Sequence, residues 1–144
     1  MPLVDTNILL YAVNADSPLK KSCESCLASL RQGQAPWHTT WGVVYEFLRV
    51  ATHPRIFSQP LRASQAWEFL KALFDAPGFS MLTATARHPE VVSEVVREFP
   101  VLSGNLWHDA ETAILMREHG IGRIYTRDVD FHRFPFLEVV DPTR

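Results

Sequence analysis

Asp5, Glu46, Asp109 and Asp128 are the side chains of this chain best placed to do chemistry. Asp5 ends the first apolar run, Pro2-Leu3-Val4, and a helix-like stretch from Thr6 to Ala12 follows at once. Asp128 closes a second run, Gly122 to Arg127. Ligands of open α/β sheets bind beyond the carboxyl ends of the strands, which is where these two acids would point. Glu46 and Asp109 lie instead inside amphipathic helix patterns. At ~100° per residue, Glu46 falls about 60° outside the Val43 edge of the stripe Val43, Val44, Phe47, Leu48, Ala51. Asp109 falls about 40° outside the Ala113 edge of Leu106, Ala110, Ala113, Ile114, with no Lys or Arg four residues on to pair with it. Each could reach inward along the rim of a core. Taken singly, such an acid is more often a solvated surface group. Two at strand ends and two at stripe edges are harder to dismiss together. Carboxylates that gather repel one another unless cations sit between them, so the pattern implies a divalent metal site and nuclease-like phosphodiester hydrolysis.

The elements that must bring these acids together follow from periodicity and punctuation. Leu3-Val4 is predicted as a short buried strand and Asn7–Val13 as a helical turn or two, with Thr6 as its cap. Ser17-Pro18 starts a helix, Ser17 capping and Pro18 first, that runs to Leu30-Arg31 with Gly33 beyond its end. A strand over 36–39 leads into a helix from Thr40 to Ala51, capped by Thr39 or Thr40. Further helices are predicted over 64–74, from His88-Pro89 through Val96, and over 106–119, the last capped by Asn105 and stopped by Gly120. Strands fall at 79–82, 123–126 and 137–140. Short strands alternating with longer helices predict parallel pairing and an α/β three-layer sandwich.

Composition bounds the partners. With 47% apolar and 21% charged residues, the 144-residue chain suits a single globular domain, 1–144, and its apolar runs stop far short of the ~20 residues needed to cross a bilayer. The N-terminus enters a strand pattern directly rather than a signal peptide, so a cytoplasmic location is expected. A net charge of −2 does not exclude nucleic acid, because the balance turns positive once the four acids are assigned to cations. Cys23 and Cys26 form one Cys-x-x-Cys inside a helix pattern, with no second pair to complete a zinc site, and are expected to be ordinary helix residues.

Val4-Asp5-Thr6-Asn7-Ile8-Leu9-Leu10-Tyr11-Ala12 resembles the opening motif of PIN-domain nucleases, specifically the VapC toxins of bacterial toxin–antitoxin pairs. Tyr45 to Phe57, around Glu46, resembles their second acidic segment; Trp107 to Ala113, around Asp109, the third; and Tyr125 to Pro135, around Asp128, the fourth. These segments occur in order and span nearly the whole chain. The resemblance implies a PIN fold, Mg²⁺ or Mn²⁺ dependence, and endonucleolytic cleavage of RNA by metal-activated water. It also implies a cognate VapB antitoxin and commonly a toxin homodimer. By matched position Asp5, Glu46, Asp109 and Asp128 become the catalytic metal ligands. Trp107-His108, before Asp109, is a bulkier pair than the family pattern leads one to expect.

Beside these four, Asp130 is either a fifth acid of the site or a helix-start cap that positions Asp128. Asn7 and Thr126 are candidates for orienting carboxylates or water. Arg49, Arg55, Arg127 and Arg133 lie in the same segments and are candidate RNA phosphate contacts, weighed evenly against solvated or ion-paired arginines. His108 and His132 are expected at the surface, and Trp37, Trp41, Trp67 and Phe74 in the core or a partner interface. Two other readings compete. A haloacid-dehalogenase-like phosphatase also opens on an Asp after a strand but needs an acid two residues on, where this chain has Asn7. A PIN fold kept as a non-catalytic binding module should have lost at least one acid, and all four are present.

Overall fold

A computed structural model describes residues 1–144. Five short strands form one sheet: β1 (Pro2–Val4), β2 (Trp37–Thr40), β3 (Phe79–Leu82), β4 (Arg123–Tyr125) and β5 (Glu138–Val140). Their order is β3-β2-β1-β4-β5, and every pairing is parallel. Six α-helices flank it: α1 (Thr6–Val13), α2 (Lys20–Gln32), α3 (Trp41–Ala51), α4 (Ala63–Phe74), α5 (His88–Glu98) and α6 (Leu106–Glu118). A 3-10 helix at Val129–Arg133 follows β4. The expected α/β three-layer sandwich is therefore observed.

Period-two alternation along the strands divides the core. Val4 and Trp37 pack on one face with Ile8, Leu9, Leu27, Phe47 and Leu70 from α1 to α4. Leu3, Ile124 and Leu82 pack on the other with Ala110, Ala113, Met116, Phe131 and Phe134. A one-residue slip of β1 would exchange Leu3 and Val4 between these cores, so its register beside β4 is tightly specified. Helix α6 is covered by the sheet on one side and by α5 on the other, which is why Thr112, Leu115 and Met116 are buried as well as the expected Ala110, Ala113 and Ile114.

Several local expectations are corrected. The cap of α1 is Asp5, whose Oδ1 accepts from the Thr6 amide at 2.8 Å; Thr6 is the first helical residue. Helix α2 begins at Lys20, and the Ser17 hydroxyl accepts from the Leu19 amide in the turn before it. Asn105 precedes α6 without a side-chain cap bond, its backbone already helical. Thr40 does cap α3, accepting from Val43 at 3.1 Å, and Gly120 ends the α6 segment at φ 68 as a left-handed residue. Cys23 is buried in α2 and Cys26 half-buried; burial pushes the Cys26 thiol up to about 11, so both stay inert thiols in the helix.

Candidate metal centre

Parallel pairing of β1 with β4 places the residues after both strands side by side, and the tie is made by side chains. The Thr126 hydroxyl donates to Asp5 Oδ2 at 2.7 Å and accepts from Asn7 Nδ2 at 3.0 Å and from the Asp128 amide at 2.9 Å. Asn7 Nδ2 also reaches Asp5 Oδ2 at 3.3 Å, while Asn7 Oδ1 accepts from the Arg127 amide at 3.2 Å. One hydroxyl thus joins the end of β1, the start of α1 and the turn after β4. The sequence pointed to Asn7 and Thr126 as orienting groups; the fold joins them into one network around the buried Asp5.

The carboxylates of Asp109, Asp128 and Asp130 each present an oxygen within 4.8 Å of the others. Asp128 is the cap here: its Oδ1 accepts from the Asp130 amide at 2.9 Å, which aims both side chains to the same side of the 3-10 turn. The alternative in which Asp130 caps and positions Asp128 is thereby reversed. Asp109 arrives from the first turn of α6. These three acids line a cleft of about 570 Å³ together with Glu46, Arg49 and His108.

Electrostatics bear the marks of crowding. Burial first, then the fields of Asp128, Asp5 and Asp130, push the Asp109 carboxyl up to about 7, against the smaller opposing pull of His108. Burial also raises Asp5, opposed by its hydrogen bonds from Thr126 and Thr6. Glu46 stands apart from the trio. It lines the same cleft, but Arg49 Nη2 contacts its Oε1 at 2.8 Å and Nε its Oε2 at 3.4 Å. Arg133 Nε lies 3.8 Å from Asp130 Oδ1, and Arg127 Nε turns to Asp141 Oδ2 at 3.1 Å. Trp37 is a core residue, whereas Trp41 and Tyr45 lie exposed on α3 with ring centroids 6.1 Å apart.

An all-oxygen set of crowded carboxylates is the donor chemistry of a hard divalent cation rather than of zinc, which favours nitrogen and sulfur. The residues present fit such an ion: their mutual repulsion is relieved by it, and no Lys or Arg contacts Asp109 or Asp128. Sequence reasoning missed Asp141. It directly follows β5, repeating the strand-then-acid pattern of Asp5 and Asp128, and that signal was available.

Comparison with known proteins accords with this geometry. The PIN domain family profile matches residues 3–137. Ribonuclease VapC48 of Mycobacterium tuberculosis is 29% identical over 147 residues, covering 96% of this chain and 94% of that protein. Ribonuclease VapC37 of the same species is 31% identical over 134 residues, covering 93% and 92%. The fold is similar to the crystal structure of VapBC2 from Rickettsia felis bound to a DNA fragment from their promoter, with a TM-score of 0.66, 18% identity and 96% of each chain covered. By its matched length, its identity to these relatives and its fold, the chain belongs to the PIN-domain family, within the VapC group.

Proposed function

We propose that this protein is the toxin of a type II toxin–antitoxin system, an endoribonuclease dependent on Mg²⁺ or Mn²⁺ that hydrolyses RNA phosphodiester bonds. The observation that carries the reading is the convergence of Asp109, Asp128 and Asp130 within 4.8 Å, tied through the Thr126 hydroxyl to the buried Asp5. Relatives named as ribonucleases support RNA as the substrate class.

In this reading Asp109, Asp128 and Asp130 hold the cation, directly or through water, and Asp5 adds its charge beside them through the Thr126 link. A divalent ion in that position supplies charge neutralisation for the phosphodiester and a lowered pKa for the attacking water. Thr126 and Asn7 keep Asp5 and the Asp128 backbone in register, so the acids need not reorganise when the substrate arrives. Glu46 lines the same cleft, where it can accept a proton or a hydrogen bond from water once Arg49 swings to a phosphate. Attack by water rather than by the ribose 2′-hydroxyl leaves a 5′-phosphate and a 3′-hydroxyl.

A VapB-type antitoxin is the expected partner, supported by the VapBC2 assembly of similar fold. A homodimer in the cytoplasm is the expected working form. No helix is long and apolar enough to cross a membrane, and Trp41, Tyr45 and Ile56 are exposed apolar groups available for burial against another chain. The phosphatase alternative has no counterpart for its second acid, since Asn7 spends its amide on Asp5 and Thr126. The inactive-module alternative makes the opposite prediction in one assay. Protein freed of its partner should cut total RNA with Mg²⁺ or Mn²⁺, stop in EDTA, and lose activity on Asp109→Asn with its circular dichroism unchanged. Undiminished cutting by Asp109→Asn would remove the site assignment.

A further inference from the structure

A second cavity of about 250 Å³ opens beside the acid cleft and shares Asp128 with it. Its walls carry two guanidiniums, Arg127 and Arg144, and the imidazole of exposed His132. Both arginines are held by one carboxylate: Arg127 Nε lies 3.1 Å and Arg144 Nε 3.5 Å from the same Asp141 Oδ2. Asp141 is itself fixed. Although burial works against its ionised form, the Thr143 hydroxyl at 2.6 Å, the Thr143 amide at 2.9 Å and Arg127 keep it below the ordinary carboxylate range.

This arrangement differs from a neutral surface ion pair in two ways. Two guanidiniums converge on one carboxylate, and the other acid of this cavity, Asp128, also faces the acid cleft, where a bound divalent ion would offset its charge. Both contacts to Asp141 run through Nε, and neither guanidinium spends an Nη group on a protein acceptor, which leaves N–H groups of the kind that grip phosphate oxygens as a fork. The Arg127 backbone is also pinned, its amide donating to Asn7 Oδ1, so the same network that orders the acids sets the base of this side chain.

We propose that the Arg127–Arg144 cavity is a phosphate subsite that holds the backbone of single-stranded RNA one step away from the scissile position. This rests on the nuclease reading of the acid cleft. Because Asp128 borders both cavities, a polynucleotide lying across the acids runs directly into the cationic wall. Asp141 acts as a positioning residue, holding both guanidiniums at the wall before RNA arrives, which lowers the ordering cost of binding.

The test is equilibrium binding of a fluorescein-labelled single-stranded RNA of mixed sequence, read by anisotropy in EDTA across a salt series. It uses the Asp109→Asn background, which removes cleavage and one repelling charge. Adding Arg127→Gln with Arg144→Gln should weaken binding ~10-fold and flatten the slope of log Kd against log salt by about 1.4, near 0.7 for each lost phosphate contact on a single strand. Arg127→Lys should keep the slope. Arg123→Gln is the matched control: Arg123 pairs with Glu138 at 2.9 Å on β4, outside both cavities, and its loss should leave the slope unchanged. Arg144→Gln alone, changing a highly exposed side chain, should give half the slope change even if Arg127→Gln proves poorly folded. An unchanged slope in the arginine variants, or an equal change in Arg123→Gln, overturns the subsite. Failure of the wild type to cut RNA would overturn the nuclease reading alone, since this binding measurement requires no cleavage.

Discussion

Replacing Asp109 by Asn should stabilise the metal-free protein, and the gain should grow with pH. Asp109 titrates near 7 in the folded chain against an ordinary 3.8. A carboxyl whose folded pKa is raised contributes stability that is complete below the unfolded value and is lost as pH climbs through the folded one. The relevant window therefore runs from about pH 4 to about pH 7. At ~1.4 kcal/mol per tenfold change in proton affinity, full shielding would cost ~4 kcal/mol in alkaline buffer. Asp109 is only half-buried and borders an open cleft, so solvent screening reduces this to ~1–2 kcal/mol. For a chain of this size that corresponds to a rise in Tm of ~3–7 °C for Asp109→Asn. The assay is thermal unfolding in EDTA at about pH 5 and about pH 8, repeated with millimolar Mn²⁺. Wild type and variant should melt close together at the lower pH and diverge at the higher. Mn²⁺ should raise wild type more than the variant, closing or reversing the gap. A variant that melts below wild type in EDTA at the higher pH would refute the reasoning, because Asp109 would then be a structural anion.

Asp5→Asn should behave differently, lowering stability by roughly 1–3 kcal/mol, because Asp5 accepts from Thr6, Asn7 and Thr126 and an amide cannot accept on both sides; an unchanged Tm would contradict this. Thr126→Val removes the hydroxyl that joins Asp5, Asn7 and Asp128, and should reduce RNA cleavage ~10–100-fold with a far-UV spectrum like wild type. Glu118→Gln should cost ~1–3 kcal/mol at neutral pH, because the shielded carboxylate accepts from the Thr85 amide and from His88 Nδ1, both at 2.5 Å. Burial alone would raise the Glu118 carboxyl, but those hydrogen bonds hold it at about 2, so wild type should lose stability as pH falls from about 4.5 toward 2 while the Gln variant loses less there. Gly78→Ala should destabilise the start of β3, since a Cβ there meets the Ala35 carbonyl backbone, which cannot move aside as a side chain would; chemical denaturation checks it.

Local pattern carried far in this chain. Alternation in Pro2-Leu3-Val4 and the stripes of α3 and α6 are consequences of which side chains must leave water, so the strands and helices follow from local pattern, and their alternation along the chain calls for parallel pairing. The acids at strand ends were equally legible, because a carboxylate immediately after a buried run has few other places to go. What pattern alone left open was which acids meet. Asp130 joins Asp109 and Asp128 because Asp128 turns back to cap the Asp130 amide, a choice made by the 3-10 turn packed under Phe131 and Phe134. Glu46 lines the same cleft yet is held by Arg49, three residues on, a pairing that depends on two long side chains choosing each other over water. Asp141, separated from Arg127 by the whole of β5, becomes its partner only because β4 and β5 lie side by side. Sequence spacing governs contacts within one turn or one strand; distances between separate elements are set by sheet order and core packing, and the charges of this cleft meet across three such elements, α3, α6 and the 3-10 turn after β4.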